Sequence, residues 1–134
     1  MRKKAQEFFK RNKKVKCPAF PNEYVIFNSK GLNHLFYKCP RSGRNEKEIK
    51  TRVSLLPSTL KIISKMPYPQ EESSYISKGT KYRFWAFEAV VDQKRVKVIV
   101  RQIGKGKKHF WSVIPAWRKT KFGRVNAKSN LGKQ

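Results

Sequence analysis

Acidic side chains are scarce in this chain: 8 Asp+Glu stand against 33 Lys+Arg in 134 residues, a net charge of +25. The few acids are scattered, and no paired Asp/Glu motif of the kind that holds two metal ions is present. Cysteine is scarcer still. Two in the whole chain are not a disulfide framework, so a reducing, cytoplasmic setting is expected. No apolar run approaches the roughly 18 residues a membrane helix needs. No apolar stretch follows the basic N-terminal segment, so neither a membrane span nor a secretory signal is expected. Aromatic residues, in contrast, are plentiful: nine Phe, five Tyr and three Trp. A fully disordered chain would be poor in them. The length fits one folded domain.

Of the +25, residues 1–16 contribute +7 and residues 116–134 contribute +6, which leaves +12 on the body. A small domain needs a net charge of only about 2–8 to stay in solution. An excess of this size points to a polyanion, because each neutralised phosphate releases counterions. RNA or DNA is the natural partner; an anionic membrane surface and an acidic protein are the rivals. The basic termini read as an N-terminal arm, over 1–21, and a C-terminal tail, over 117–134, around a folded body.

Tyr24–Phe27 is a short β-rich run that ends at the turn signal Asn28-Ser29-Lys30-Gly31. Asn45 suits an N-cap with Glu46 and Glu48 in the first turn, and Ile49, Val53, Leu56, Leu60 and Ile63 follow helical spacing. Pro57 interrupts that pattern, which predicts two helices, 45–56 and 57–65, or one kinked helix. Residues 67–80 read as an exposed connector. Tyr82–Val91, Arg95–Ile103 and Lys108–Ile114 are three β-rich runs separated by hairpin-length loops. The expected fold class is α+β in the order β-α-α-β-β-β. A four-stranded antiparallel sheet would carry helices on one face and leave the other available.

A first hairpin turning at Gln93-Lys94 would pair Val91 with Val96, Ala89 with Val98 and Phe87 with Val100. That makes one face apolar, against the helices. Phe84, Ala86, Glu88 and Val90 would share the other face with Lys97, Ile99, Arg101 and Ile103. With residues 104–107 as the second loop, Ser112 joins Arg101, Glu88 and Lys97 on that open face, while Trp111 and Val113 join the core. One more loop residue would instead bring His109 and Trp111 to the open face.

The strings Phe84-Trp85-Ala86-Phe87-Glu88, Val96-Lys97-Val98-Ile99-Val100-Arg101 and His109-Phe110-Trp111-Ser112-Val113-Ile114-Pro115 carry a resemblance. Over about residues 22–116 the chain resembles small proteins of phages and integrative elements. These are grouped with the barnase–EndoU–colicin E5/D–RelE superfamily of nucleases. The resemblance implies one or two helices followed by a four-stranded antiparallel sheet, and metal-independent RNA cleavage by a toxin or mobile-element effector. An acidic antitoxin or immunity protein would be its partner, and tRNA or ribosome-bound mRNA its target. Catalytic residues vary across that superfamily, so the fold alone does not deliver the site.

RNA cleavage through the 2′-OH needs a base, an acid for the leaving 5′-oxygen and cations on the phosphorane, and no cofactor or metal. His109 and His34 are the only histidines and can exchange protons near neutral pH. The planar fork of Arg101 suits phosphate oxygens. Ser112 could donate to phosphate, and Glu88 could act as a base or orient Arg101. Lys30, Lys97 and Lys107 are candidate phosphate contacts, and Trp117 with Arg118 could stack a base. The alternative is a non-catalytic basic protein that binds RNA or DNA.

Overall fold

The computed structural model describes residues 1–39, 42–116, 119–120 and 123–124. Its elements run α1 (Arg2–Arg11), β1 (Lys14–Lys16), β2 (Tyr24–Ile26), α2 (Ser29–Phe36), β3 (Tyr37–Cys39), β4 (Ser42–Gly43), α3 (Glu46–Ser54), α4 (Leu56–Lys65), β5 (Glu71–Ser77), β6 (Thr80–Val91), β7 (Lys94–Ile103), β8 (His109–Pro115), β9 (Lys119–Thr120) and β10 (Gly123–Arg124). The class is α+β. The expected order and four-stranded sheet are corrected: the main sheet has six strands, in the order β1-β2-β8-β7-β6-β5. It is mixed, because β2 lies parallel to β8 at Ile26 and His109 while the other pairs are antiparallel. None of the helices is long and apolar enough to cross a membrane among the described residues.

The added strands come from two segments read differently in the sequence. The connector 67–80 contains β5, which pairs with β6 from Glu71↔Ala86 to Ser77↔Thr80. Its polar, mostly exposed side chains gave no apolar alternation to reveal it. The stretch 1–21, expected as an arm, is folded into the body. Ala5 and Phe9, one helical turn apart, are the buried face of α1. The Phe9 ring packs 5.3 Å from Phe27 and 5.9 Å from Phe110, so three distant segments close on one aromatic cluster. Cys17 is buried and free, and burial pushes its thiol pKa up.

The helix boundaries follow their caps. The Asn28 side chain accepts from the backbone of Lys30 and Gly31 and starts α2. Asn45 accepts from Glu48 N–H at 2.8 Å and its amide donates back to the Glu48 carboxylate at 3.1 Å, a reciprocal cap for α3. Pro57 stands in the first turn of α4, where a missing N–H costs nothing, so there are indeed two helices.

The β6–β7 hairpin turns at Asp92 and Gln93, both at positive φ, two positions away from the expected register. Ala89 therefore faces Val96, and Phe87 faces Val98. A shift of two keeps every side chain on its expected face. Trp85, Phe87, Val96, Val98 and Val100 bury against the helices in the main core, together with Ile62 and Ile63 of α4. Phe84, Ala86 and Ile99 form a smaller cluster on the opposite face.

The third strand combines the expected register with one not foreseen from the sequence. The turn after Ile103 is one residue tighter than the expected 104–107 loop, so Arg101 pairs with His109 and Val100 with Phe110, a shift of one that turns His109 to the open face just as a longer loop would. A bulge at Trp111 then restores the other register, with Ser112 opposite Ile99. His109 and Trp111 thus reach the open face while Phe110 and Val113 stay in the main core. The expectation of Trp111 as a core residue of the helix-covered face is corrected by this bulge.

Candidate active site

One rung of the sheet runs Ser73–Phe84–Arg101–His109–Ile26 across five strands. At its β7–β8 end the Arg101 Nε–H donates to His109 Nε2 at 3.0 Å. A guanidinium cannot accept, so His109 Nε2 bears the lone pair and the ring proton sits on Nδ1. The Lys107 backbone bonds this ring from its other side. Burial, then the charges of Arg101 and Lys30, push His109 down to about 4, so the imidazole is neutral at physiological pH. Burial also lowers Arg101 to about 10, still a cation. Its guanidinium lies 3.5 Å over the Trp111 ring. Among the described residues it has no carboxylate partner.

Helix α2 brings the second histidine. Gly31 lets it sit directly on β8: a Cβ there would lie 2.2 Å from the Phe110 carbonyl oxygen and 2.9 Å from its ring. One turn on, the His34 ring stacks on the far side of this assembly, 3.9 Å from Trp111 with planes 14° apart. Arg44 then clamps the helix end. Its Nε donates to the His34 carbonyl at 2.9 Å, its Nη2 to His34 Nε2 at 3.1 Å, and its Nη1 pairs with Glu48 at 3.4 Å. His34 is therefore also a neutral Nδ1–H imidazole. Burial, with Arg44, Arg52 and Arg101 around it, pushes it down to about 3. Arg52 of α3 is buried and donates to Ser112 Oγ at 2.7 Å. Burial lowers Arg44 as well, against the favourable pull of Glu48.

The structure brings together His34, Arg101, His109 and Ser112, with Lys30 on the α2 face toward His109. It separates Glu88 from them. Glu88 pairs with Arg95 at 3.3 Å and stands four residues along β6 from Phe84, the partner of Arg101, about 13 Å away. Glu88 thus does not orient Arg101; His109 holds that place. Lys97 is fully buried with its Nζ 2.9 Å from Glu71 Oε1, in an ion pair that lacks hydrogen-bond alignment, and is closed to a phosphate. Lys107 is exposed in the β7–β8 loop, where its backbone serves His109. Trp117 and Arg118 lie outside the described residues.

Comparison of the chain with protein-family models, curated proteins and solved structures found no match. Function must be argued from the site. Sequence reasoning missed Arg44 and Arg52. Arg52 had left a signal, since it stands on the apolar stripe of its helix, three residues after Ile49 and four before Leu56. It also missed Tyr75 and Tyr82, which lie within electrostatic range of Arg101. Tyr75 was hidden by reading β5 as a loop.

The chemistry on offer is specific. A cation with five donors and no carboxylate faces an imidazole whose lone pair is aimed at the same point. An anion drawn to Arg101 would compete for the Nε–H that now occupies His109. Among the described residues no three His, Cys, Asp or Glu side chains gather as a metal-ligand set. The groups that do gather are proton carriers and arginines.

Proposed function

We propose that the protein is a metal-independent endoribonuclease of the RelE/barnase-like class, acting through the RNA 2′-OH. The observation that carries this reading is the Arg101–His109 pair: a half-buried arginine without a carboxylate, bonded to a neutral histidine and backed by Trp111. In this reading the scissile phosphate takes the guanidinium of Arg101, which frees His109 Nε2. That nitrogen accepts the 2′-OH proton as the 2′-oxygen bonds to phosphorus. The P–O5′ bond breaks, and the Lys30 ammonium, whose charge already acts on His109, supplies the proton to the 5′-oxygen. Products are a 2′,3′-cyclic phosphate and a 5′-hydroxyl, and solvent returns the proton from His109 to Lys30. His34, clamped by Arg44 and stacked on Trp111, positions the arginine. Arg52 and Ser112 brace β8 behind it. The setting is cytoplasmic, and an acidic antitoxin or immunity protein would cover this cationic face.

The test is incubation of the purified protein with total RNA and a defined oligonucleotide in EDTA, beside His109→Ala. Cleavage that leaves cyclic phosphate ends, and drops about 10³-fold in the variant, is expected. Equal cleavage by the variant would remove the site assignment. A second reading has its own observation: Arg101 caps the basic nitrogen of His109, and the chain carries +25. RNA retained in a gel shift with steep salt dependence, but never cleaved, would favour a non-catalytic binding protein.

A further inference from the structure

β5 adds to the site something that neither the cluster of cations nor the proton carriers require. Tyr75, on this edge strand, is directly opposite Tyr82 on β6, and the two rings stack 5.0 Å apart with planes 11° from parallel. The same ring stacks on Phe84 at 5.9 Å and 17°. Tyr75 is therefore seated against the sheet's own aromatics. The residue is nevertheless 51% exposed, so much of it is presented to solvent. The position also matters. Tyr82 lies diagonal to Arg101 across β6 and β7, and both tyrosines stand within electrostatic range of the guanidinium. On the opposite side Arg101 rests on Trp111, which rests on His34. Arg101 is thus flanked by two aromatic layers. The Trp111 layer is closed by His34, and the Tyr75 layer is open.

We propose that Tyr75 is a stacking platform for an unpaired nucleobase of the nucleotide adjoining the phosphate held by Arg101. This rests on Arg101 being a phosphate site. It makes the ligand single-stranded nucleic acid, since a base inside a duplex cannot offer its π face to an edge strand. Aromatic stacking is tolerant of base identity, so the platform selects strandedness rather than sequence.

The test measures binding of a 2′-O-methyl RNA pentamer, which has no free 2′-OH to react, and of pentamers carrying one abasic position. Wild type, Tyr75→Ala and Tyr75→Phe are compared, with circular dichroism to verify folding. The expected result is a loss of about tenfold in affinity for Tyr75→Ala and near-wild-type binding for Tyr75→Phe. One abasic position should cost the wild type about tenfold and cost Tyr75→Ala little. Duplex RNA should bind wild type and Tyr75→Ala equally. Unchanged pentamer affinity in Tyr75→Ala, the same abasic penalty in both proteins, or an equal loss on duplex would each overturn the proposal. Because nothing here depends on turnover, a Tyr75-dependent abasic penalty without RNA cleavage would sustain the platform and sink the nuclease. Cleavage with no Tyr75 dependence would do the reverse.

Discussion

Toward the β6–β7 turn, the open face of the sheet neutralises its cations: Lys97 meets Glu71 at 2.9 Å and Arg95 meets Glu88 at 3.3 Å. Toward the β7–β8 loop, Arg101 on the same strand as both meets a neutral histidine and an indole face instead. The strand, the face and the kind of side chain are the same, and only the partners differ. An arginine already answered by a carboxylate has little to offer a phosphate. One held in place by groups without charge keeps its field for a ligand. In a chain with 33 basic residues, the functional signal is thus not where positive charge is, but where protein has declined to cancel it.

The sharpest way to break this contrast is to remove one arginine from each end. Arg101→Ala is expected to lower RNA cleavage by about 10²–10³-fold in single-turnover assays, while Arg95→Ala stays within about twofold. Equal losses would show that bulk charge, not the missing carboxylate, governs activity. Next in size is the buried pair. Lys97→Met leaves Glu71 facing the interior without its cation and should cost about 3 kcal/mol in urea unfolding, with turnover per folded molecule unchanged. A neutral result would mean that the pair is not sealed from water.

Gly31→Ala comes third. Its methyl group would collide with the Phe110 backbone, so α2 must lift from β8. A loss of about 2 kcal/mol is expected. Trp111 fluorescence should change as His34 moves off the ring, and an unaltered spectrum would argue against direct helix–strand seating.

At neutral pH the smallest effect is that of the histidines, which shows only on acidification. Both histidines have folded-state pKa values below the unfolded value of about 6.5, at about 3 for His34 and about 4 for His109. The unfolded chain then binds more protons, so stability is flat above about pH 6.5. It falls as the solution is acidified toward pH 3. His34→Gln should flatten this acid limb by up to about 1.4 kcal/mol per pH unit. Parallel limbs in the two proteins would place the proton uptake elsewhere.

Much of the frame could be read from the residues. The alternation Trp85-Phe87-Ala89 against Val96-Val98-Val100 put the right side chains on the core face even with the hairpin two positions out of register. Asn45 and Pro57 marked helix starts because capping is local chemistry. What escaped was non-local or irregular. The parallel pairing of Ile26 with His109 joins positions far apart in the chain, with no local pattern to announce it. The bulge at Trp111 let the expected register hold only from Ser112 onward, and a tighter register, unforeseen from the sequence, hold before it. Of the candidate site, His34, Arg101 and His109 were legible by residue type, and their common location was not. Glu88 and Lys97 were placed on the right face but not at the right end, because strand pairing fixes a face more firmly than it fixes a neighbour.

The turn at Lys78 and Gly79 joins β5 to β6, is exposed and has both residues at positive φ. It falls between the two sets of residues that make the site. His34, Arg44 and Arg52 precede it; Arg101, His109, Trp111 and Ser112 follow it. A chain divided at this point would yield two pieces, neither holding the whole constellation. Since Gly31 of the first piece must seat against Phe110 of the second, reassembly and the return of function would be a single event. Ribosomal synthesis imposes the same condition, because the Arg101–His109 pair cannot face α2 until β8 has left the tunnel. The proposed site is therefore completed only after β8 has been made.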